Sequence, residues 1–214
     1  MITIHHLGIS QSDRIVWLME ELGLPYEVKW YDRGPDFLAP PELRELHPAS
    51  TAPVITDGDL VLAESTAIVE YISQRYGGGR LSLGPDDPDY PHYLFWMQFN
   101  NNLLACVFVR LAVDTNGLNP DVDNVFLTTA QRREDGLYRA MEDRLAASDY
   151  LGGPEFSCAD IMSMFNLTSL GRFGGREIDD SLPNIQAYIQ RIVSRPAYQK
   201  AMAIAGPDAT RPAS

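Results

Sequence analysis

The chain has 214 residues, 45% hydrophobic and 21% charged, with a net charge of −12 and only two cysteines. That length suits one domain or two modest ones with a sizeable core, and the acidic balance excludes non-specific nucleic-acid binding, which needs Lys and Arg to neutralise phosphates. No apolar run approaches the ~20 residues of a membrane span, and Cys106 and Cys158 stand too far apart to suggest a disulfide framework.

The start, Met1-Ile2-Thr3-Ile4-His5-His6, lacks the basic and apolar regions of a secretory signal, so a cytoplasmic location is the expectation. Residues 2–7 read as a strand. Ile15, Leu18, Met19 and Leu22 then recur at helical spacing, and Gly23 followed by Pro25 stops that helix. A second strand is expected over 27–31 and a short helix near 41–46. Val54-Ile55-Thr56 and Leu60-Val61-Leu62 flank Asp57-Gly58-Asp59, a hairpin signal because the turn needs a positive φ that Gly adopts freely. Pro53 lacks an amide hydrogen and belongs at the start of the first of these strands. Ala67, Ile68, Tyr71 and Ile72 mark a helix that begins near Glu64-Ser65. Gly77-Gly78-Gly79 closes it, and residues 83–88 read as a linker.

Beyond Asp89 only helical patterns occur. One helix is expected from about Tyr90 to Val113, a break at Asn116-Gly117-Leu118-Asn119-Pro120, and another helix from about Asp123 to Ala147 with Leu137, Met141 and Leu145 on one face. Ser157, with Asp160 three residues on, matches a capping box ahead of the stripe Cys158, Ile161, Met162 and Phe165. Cys158 is there a small core residue and not a nucleophile. His5 and His6 are adjacent on a strand and point to opposite faces, so they cannot share a metal. His47 and His92 are scattered, and no metal-ligand spacing exists.

Strand, helix, strand, short helix, hairpin and helix is the order of a thioredoxin-like domain. Together with Ser10-Gln11-Ser12-Asp13-Arg14, Ala52-Pro53, Glu64-Ser65 and a helical second half, it resembles the glutathione S-transferase superfamily. The resemblance is to bacterial and fungal members with an active-site serine. It implies an α/β plus all-α fold: a thioredoxin-like glutathione-binding domain over residues 1–78, a linker over 79–88 and a helical-bundle domain over 89–214. It also implies glutathione as co-substrate, no metal, a homodimer, and attack of the thiolate on a small hydrophobic electrophile or a hydroperoxide. A non-catalytic binder of glutathione or hydrophobic ligands and a glutathione-dependent disulfide reductase are the rival readings. Serines stand where redox relatives carry Cys-x-x-Cys, so dithiol exchange by the protein itself is excluded.

From the residues alone, Ser10 or Ser12 caps the first helix. The resemblance aligns Ser10 with the thiol-activating serine and leaves Ser12 as the alternative. A free thiol of pKa ~8.5 is only a few per cent thiolate at neutral pH. One hydrogen bond to the charged form, about 1.5–3 kcal/mol, lowers that pKa by about one to two units. The resemblance further implies a cis Ala52-Pro53 bond, with Ala52 backbone pairing with the cysteinyl unit of glutathione. Glu64 is assigned the γ-glutamyl ammonium and Ser65 its carboxylate. Thr51 stands where many relatives carry a lysine for the glycine carboxylate, which leaves Arg33, Arg44 or His47 as substitutes. Ile9, Phe37 and some of Phe95, Trp96, Phe99, Phe108 and Val109 are pocket, core or dimer candidates, beside a polar patch of Gln98 and residues 100–102.

Overall fold

The computed structural model describes residues 1–115, 125–170 and 176–212. Its first half contains β1 (Ile2–Leu7), α1 (Asp13–Leu22), β2 (Tyr26–Tyr31), α2 (Pro41–Arg44), β3 (Val54–Asp57), β4 (Leu60–Ala63) and α3 (Ser65–Arg75). The four strands form one sheet in the order β2-β1-β3-β4. β1 and β2 are parallel, as a strand–helix–strand unit requires, while β3 runs antiparallel to both β1 and β4. The hairpin turn falls at Gly58, whose φ of 59° is the left-handed value that selects glycine. Gly23 caps α1 at φ 65°, returning its N–H to Glu20 and Met19 carbonyls.

Ile15, Val16, Leu18, Met19, Ile68, Val69 and Ile72 bury the inner faces of α1 and α3 against the sheet, each at or below 1% exposure. A separate cluster of Leu7, Tyr31 and Leu43, with Ala39, Leu46 and Ala52, packs the ends of β1 and β2 under α2. Both faces of β1 are thereby covered, and five of its six residues are buried, His5 and His6 among them.

The second half contains α4 (Tyr90–Thr115), α5 (Val125–Ala147), α6 (Cys158–Leu167), α7 (Pro183–Val193) and α8 (Pro196–Ala205). The expected break at 116–120 and the expected start of α5 at 123 lie outside the described residues. On α5 the buried stripe is Leu127, Ala130, Glu134, Tyr138 and Met141, with Leu137 and Leu145 only half-buried. The expected apolar face was rotated because Glu134 is inward: it accepts from Arg110 Nε and Nη2 on α4 at 3.2 and 3.3 Å. The capping box at α6 forms, with Ser157 N–H donating to Asp160 Oδ2 at 2.8 Å. Asp160 Oδ1 also accepts from Leu151 N–H and Tyr188 Oη, so this helix start is a buried folding element.

The chain divides into two compact units, Met1–Leu83 with Arg191–Ser214, and Gly84–Gln190. Within the first unit α8 packs on α1. Trp17 meets Tyr198 edge-on at 4.9 Å, Glu21 accepts from Arg195 Nε and Nη2 at 2.7 and 2.8 Å, and Lys200 pairs with Glu20 at 2.7 Å. Such long-range partners leave no local periodic signal.

Candidate active site

Strand register gathers the candidate residues at one end of the sheet. His5 pairs with Val54 across β1 and β3, and Val54 pairs with Ala63 across β3 and β4. The loop after β1, the approach to β3 and the exit from β4 therefore emerge together. These are the segments that carry Ser10 and Ser12, Thr51 to Pro53, and Glu64 and Ser65. β2 ends at the same edge, since Leu7 pairs with Tyr31.

Ser10 is 8% exposed and Ser12 fully buried. Ser10 Oγ donates to Leu7 O at 2.8 Å and lies 2.7 Å from Ser12 Oγ, which lies 2.8 Å from His6 Nδ1. Ser12 N–H also points to Ser10 Oγ at 3.3 Å. Ser12 stands at the N-cap position of α1, yet its hydroxyl makes no capping hydrogen bond to the helix. Neither serine is therefore the side-chain cap the residues suggested: each hydroxyl is engaged by β1 or by the other serine.

Arg14 is buried on the first turn of α1, and burial lowers its guanidinium to about 10 despite the opposing charge of Asp13. Its Nη1 donates to Ser65 Oγ at 3.3 Å, which ties the start of α1 to the start of α3. Glu64 is the exposed N-cap residue of α3, with φ 70° and ψ 111°. Positive φ at a residue with a side chain is sparsely populated. Among the described residues it occurs at Ile9 (49°), Ser50 (51°) and Glu64, which adjoin or belong to the three candidate segments, and also at Phe37 (62°) and Leu81 (66°). Strain held in this way clusters at functional sites. The Ala52-Pro53 bond is cis, Ala52 is half-buried against the Leu7 cluster, and Thr51 is exposed.

Arg33 donates from Nε to Gly8 O (3.1 Å), from Nη2 to Ile9 O (2.9 Å) and from Nη1 to Phe37 O (2.8 Å). It braces the loop that carries Ser10 and is committed to carbonyls. Arg44 is exposed on α2, and His47 Nδ1 accepts from Ala49 N–H at 3.1 Å. Sequence reasoning missed Arg14, His6 and the bracing role of Arg33. The spacing Ser10-x-Ser12-x-Arg14 was the available signal for Arg14, and none existed for the others.

Of the aromatic candidates, Trp96 and Phe99 are core, while Phe95, Phe108 and Phe37 are 49%, 56% and 74% exposed. The polar patch splits. Asn100 turns inward and accepts from Asn166 Nδ2 at 2.8 Å, and Asn102 takes a hydrogen bond from Arg133 at 2.6 Å. A groove of about 660 Å³ lies at the opposite end of α1, beside Glu20, Tyr26 and Lys200. None of the candidate chemistry lines it.

Residues 10–75 match the family model of the glutathione S-transferase N-terminal domain, and residues 121–196 that of the C-terminal domain. The chain is 30% identical to Glutathione S-transferase 3 of Schizosaccharomyces pombe over 92% of this chain and 85% of that one. The chain belongs to the glutathione S-transferase family. Its structure is similar to that of a glutathione S-transferase from Actinobacillus pleuropneumoniae, with a TM-score of 0.84 and 32% identity over 100% of this chain and 97% of that one. It is also similar to a theta class glutathione S-transferase from Xanthomonas axonopodis pv. citri, solved with glutathione bound, with a TM-score of 0.70 and 28% identity over 96% and 98% of the chains. In this family member the matched N-terminal segment starts at Ser10 itself and contains every candidate site residue from Ser10 to Ser65.

Proposed function

We propose that the protein is a glutathione transferase in which Ser10 activates the thiol of bound glutathione for attack on a small hydrophobic electrophile or a hydroperoxide oxygen. The observation that carries the reading is the convergence of Ser10, Ala52, Glu64 and the Arg14-braced Ser65 at one sheet end. Ser10 has the exposure to meet a ligand; Ser12 has none. In this reading Ala52 backbone pairs with the cysteinyl unit, Glu64 holds the ammonium, and Ser65 with the N-terminus of α3 takes the γ-glutamyl carboxylate. Arg14 orients the Ser65 hydroxyl and adds positive potential behind it. Thr51 offers the glycine carboxylate a hydrogen bond but no charge, and Arg44, exposed on α2, is the nearest cation in sequence that is not committed to carbonyls. Holding the thiol in place contributes as an entropy trap.

Residues 1–78 serve as the peptide-binding domain, 79–88 as the linker and 89–214 as the helical domain. The enzyme acts in the cytoplasm in detoxification, as a homodimer; exposed Phe95, Phe108 and Phe126 support an association face on α4 and α5. No described helix is long and apolar enough to cross a membrane.

Calorimetric titration with glutathione, followed by a panel of electrophiles and hydroperoxides, tests the reading. Glu64→Ala should weaken glutathione binding by about 1.5 kcal/mol or more, roughly tenfold, if it removes a charged hydrogen bond. Unchanged affinity in a folded variant removes Glu64 from the site.

A further inference from the structure

We propose that His6 and Ser12 are positioning residues for Ser10, forming a hydrogen-bond chain of fixed direction that leaves the Ser10 hydroxyl with only its hydrogen to offer a ligand. This rests on the reading of Ser10 as the thiol-activating residue. The direction follows from counting hydrogens. A carbonyl oxygen only accepts, so the 2.8 Å contact to Leu7 O uses the single hydroxyl hydrogen of Ser10. The 2.7 Å contact between the two hydroxyls must then use the hydrogen of Ser12. With that hydrogen committed, the 2.8 Å contact between Ser12 and His6 uses a proton on Nδ1. The chain runs from His6 Nδ1–H through Ser12 Oγ–H and Ser10 Oγ–H to Leu7 O.

Two further observations agree with this direction. The Nδ1–H tautomer leaves a lone pair on His6 Nε2, and that atom is buried with no hydrogen-bond partner among the described residues. The opposite tautomer would orphan an N–H there, and buried N–H groups without an acceptor are the rarer case. Ser12 N–H supplies a second donor to Ser10 Oγ at 3.3 Å, so both acceptor positions of that oxygen are filled. Burial holds the ring neutral by pushing its pKa down to about 4, and the Trp30 ring packs edge-on to it at 4.3 Å.

The consequence is a polarised donor. When a thiolate reaches Ser10, the hydroxyl hydrogen needs only to rotate from Leu7 O to sulfur, while two donors behind the oxygen stay in place. Hydrogen bonds in such a chain strengthen one another. Ser12 cannot take over this role, because its own hydrogen is directed at Ser10 from a fully buried position.

The test follows the thiol pKa of bound glutathione by thiolate absorbance against pH, in wild type, Ser10→Ala, Ser12→Ala, His6→Leu and His6→Asn. Ser10→Ala should raise it by about one to two units. Ser12→Ala and His6→Leu should raise it by about 0.3–0.5 unit, a cooperative share of roughly a quarter, with glutathione affinity within about twofold of wild type. His6→Asn, whose amide nitrogen stands in for Nδ1, should return the value towards wild type. Nitrogen-15 spectra of the wild-type imidazole should show a neutral ring protonated on Nδ1; this measurement and the near-isosteric Ser12→Ala carry the test if His6→Leu does not fold. A proton on Nε2, or a Ser10→Ala shift with Ser12→Ala and His6→Leu unchanged, overturns the chain while leaving Ser10 in its role. An unchanged pKa in Ser10→Ala overturns the reading of Ser10 and the chain with it.

Discussion

Glu21 is the point through which the C-terminal helix holds α1, and removing it should loosen the first unit measurably. Its carboxylate is 8% exposed and accepts from Arg195 at 2.7 and 2.8 Å and from Trp17 Nε1 at 2.9 Å. Trp17 is 1% exposed, so its indole N–H has no ready access to water once the carboxylate is gone, a loss of about 1–3 kcal/mol. Arg195 keeps 26% exposure and rehydrates in part, so its two charged hydrogen bonds count near the low end of about 1.5–3 kcal/mol together. Glu21→Ala should therefore cost about 3 kcal/mol, a melting-temperature loss of roughly 6–12 °C for a chain of this size. Glu21→Gln, which keeps one acceptor oxygen, should lose about half as much. Urea titrations of the two variants beside wild type read this directly. A Glu21→Ala midpoint indistinguishable from wild type would refute the clamp and leave α8 held by apolar packing and the Lys200–Glu20 pair.

Arg33→Met keeps the aliphatic stem but removes the three donors to Gly8, Ile9 and Phe37 carbonyls; kcat/KM for glutathione should fall by roughly tenfold, and steady-state kinetics on the folded variant that match wild type would show that the loop holds itself. His6 carries a pH prediction, because burial sets its folded pKa at about 4 against about 6.5 unfolded. The unfolded chain binds the extra proton between these values, so stability present above pH 6.5 is lost as pH falls to 4, by about 3 kcal/mol. His5 is shifted in the same direction, by burial and then by Lys29. Urea midpoints across this window should slope less in His6→Leu, and equal slopes would contradict the assignment.

Much of the first half was legible because its signals are local. The Asp57-Gly58 turn, the Gly23 cap and the apolar spacing of α1 and α3 each lie within a few residues of what they control. α7 and α8 were not separated, although Pro183 and Pro196 open them, because short helices that bury against distant partners need not show a long stripe. At the site, the motif serines, Ala52-Pro53 and Glu64-Ser65 could be named from the sequence, and strand register explains why they meet. What those residues bond to could not be. Arg33 offered a free cation on paper but braces a loop, Glu134 interrupts the apolar face of α5 because Arg110 reaches it, and His6 was weighed only as a metal ligand. In each case a partner 24 or 25 positions away, or a hydroxyl six residues on, decides the role.

The most direct test of the central claim is the number of protons released when glutathione binds, measured by calorimetry at pH 7.5 in buffers of different ionisation enthalpy. A thiol of pKa ~8.5 is about a tenth ionised at that pH. Lowering it by one to two units on the protein makes it about half to nine-tenths ionised. Wild type should release roughly 0.4–0.8 proton per site, and Ser10→Ala should bind with similar affinity and release close to none. Equal release from wild type and Ser10→Ala, or no binding heat in either, would contradict a serine-activated glutathione site.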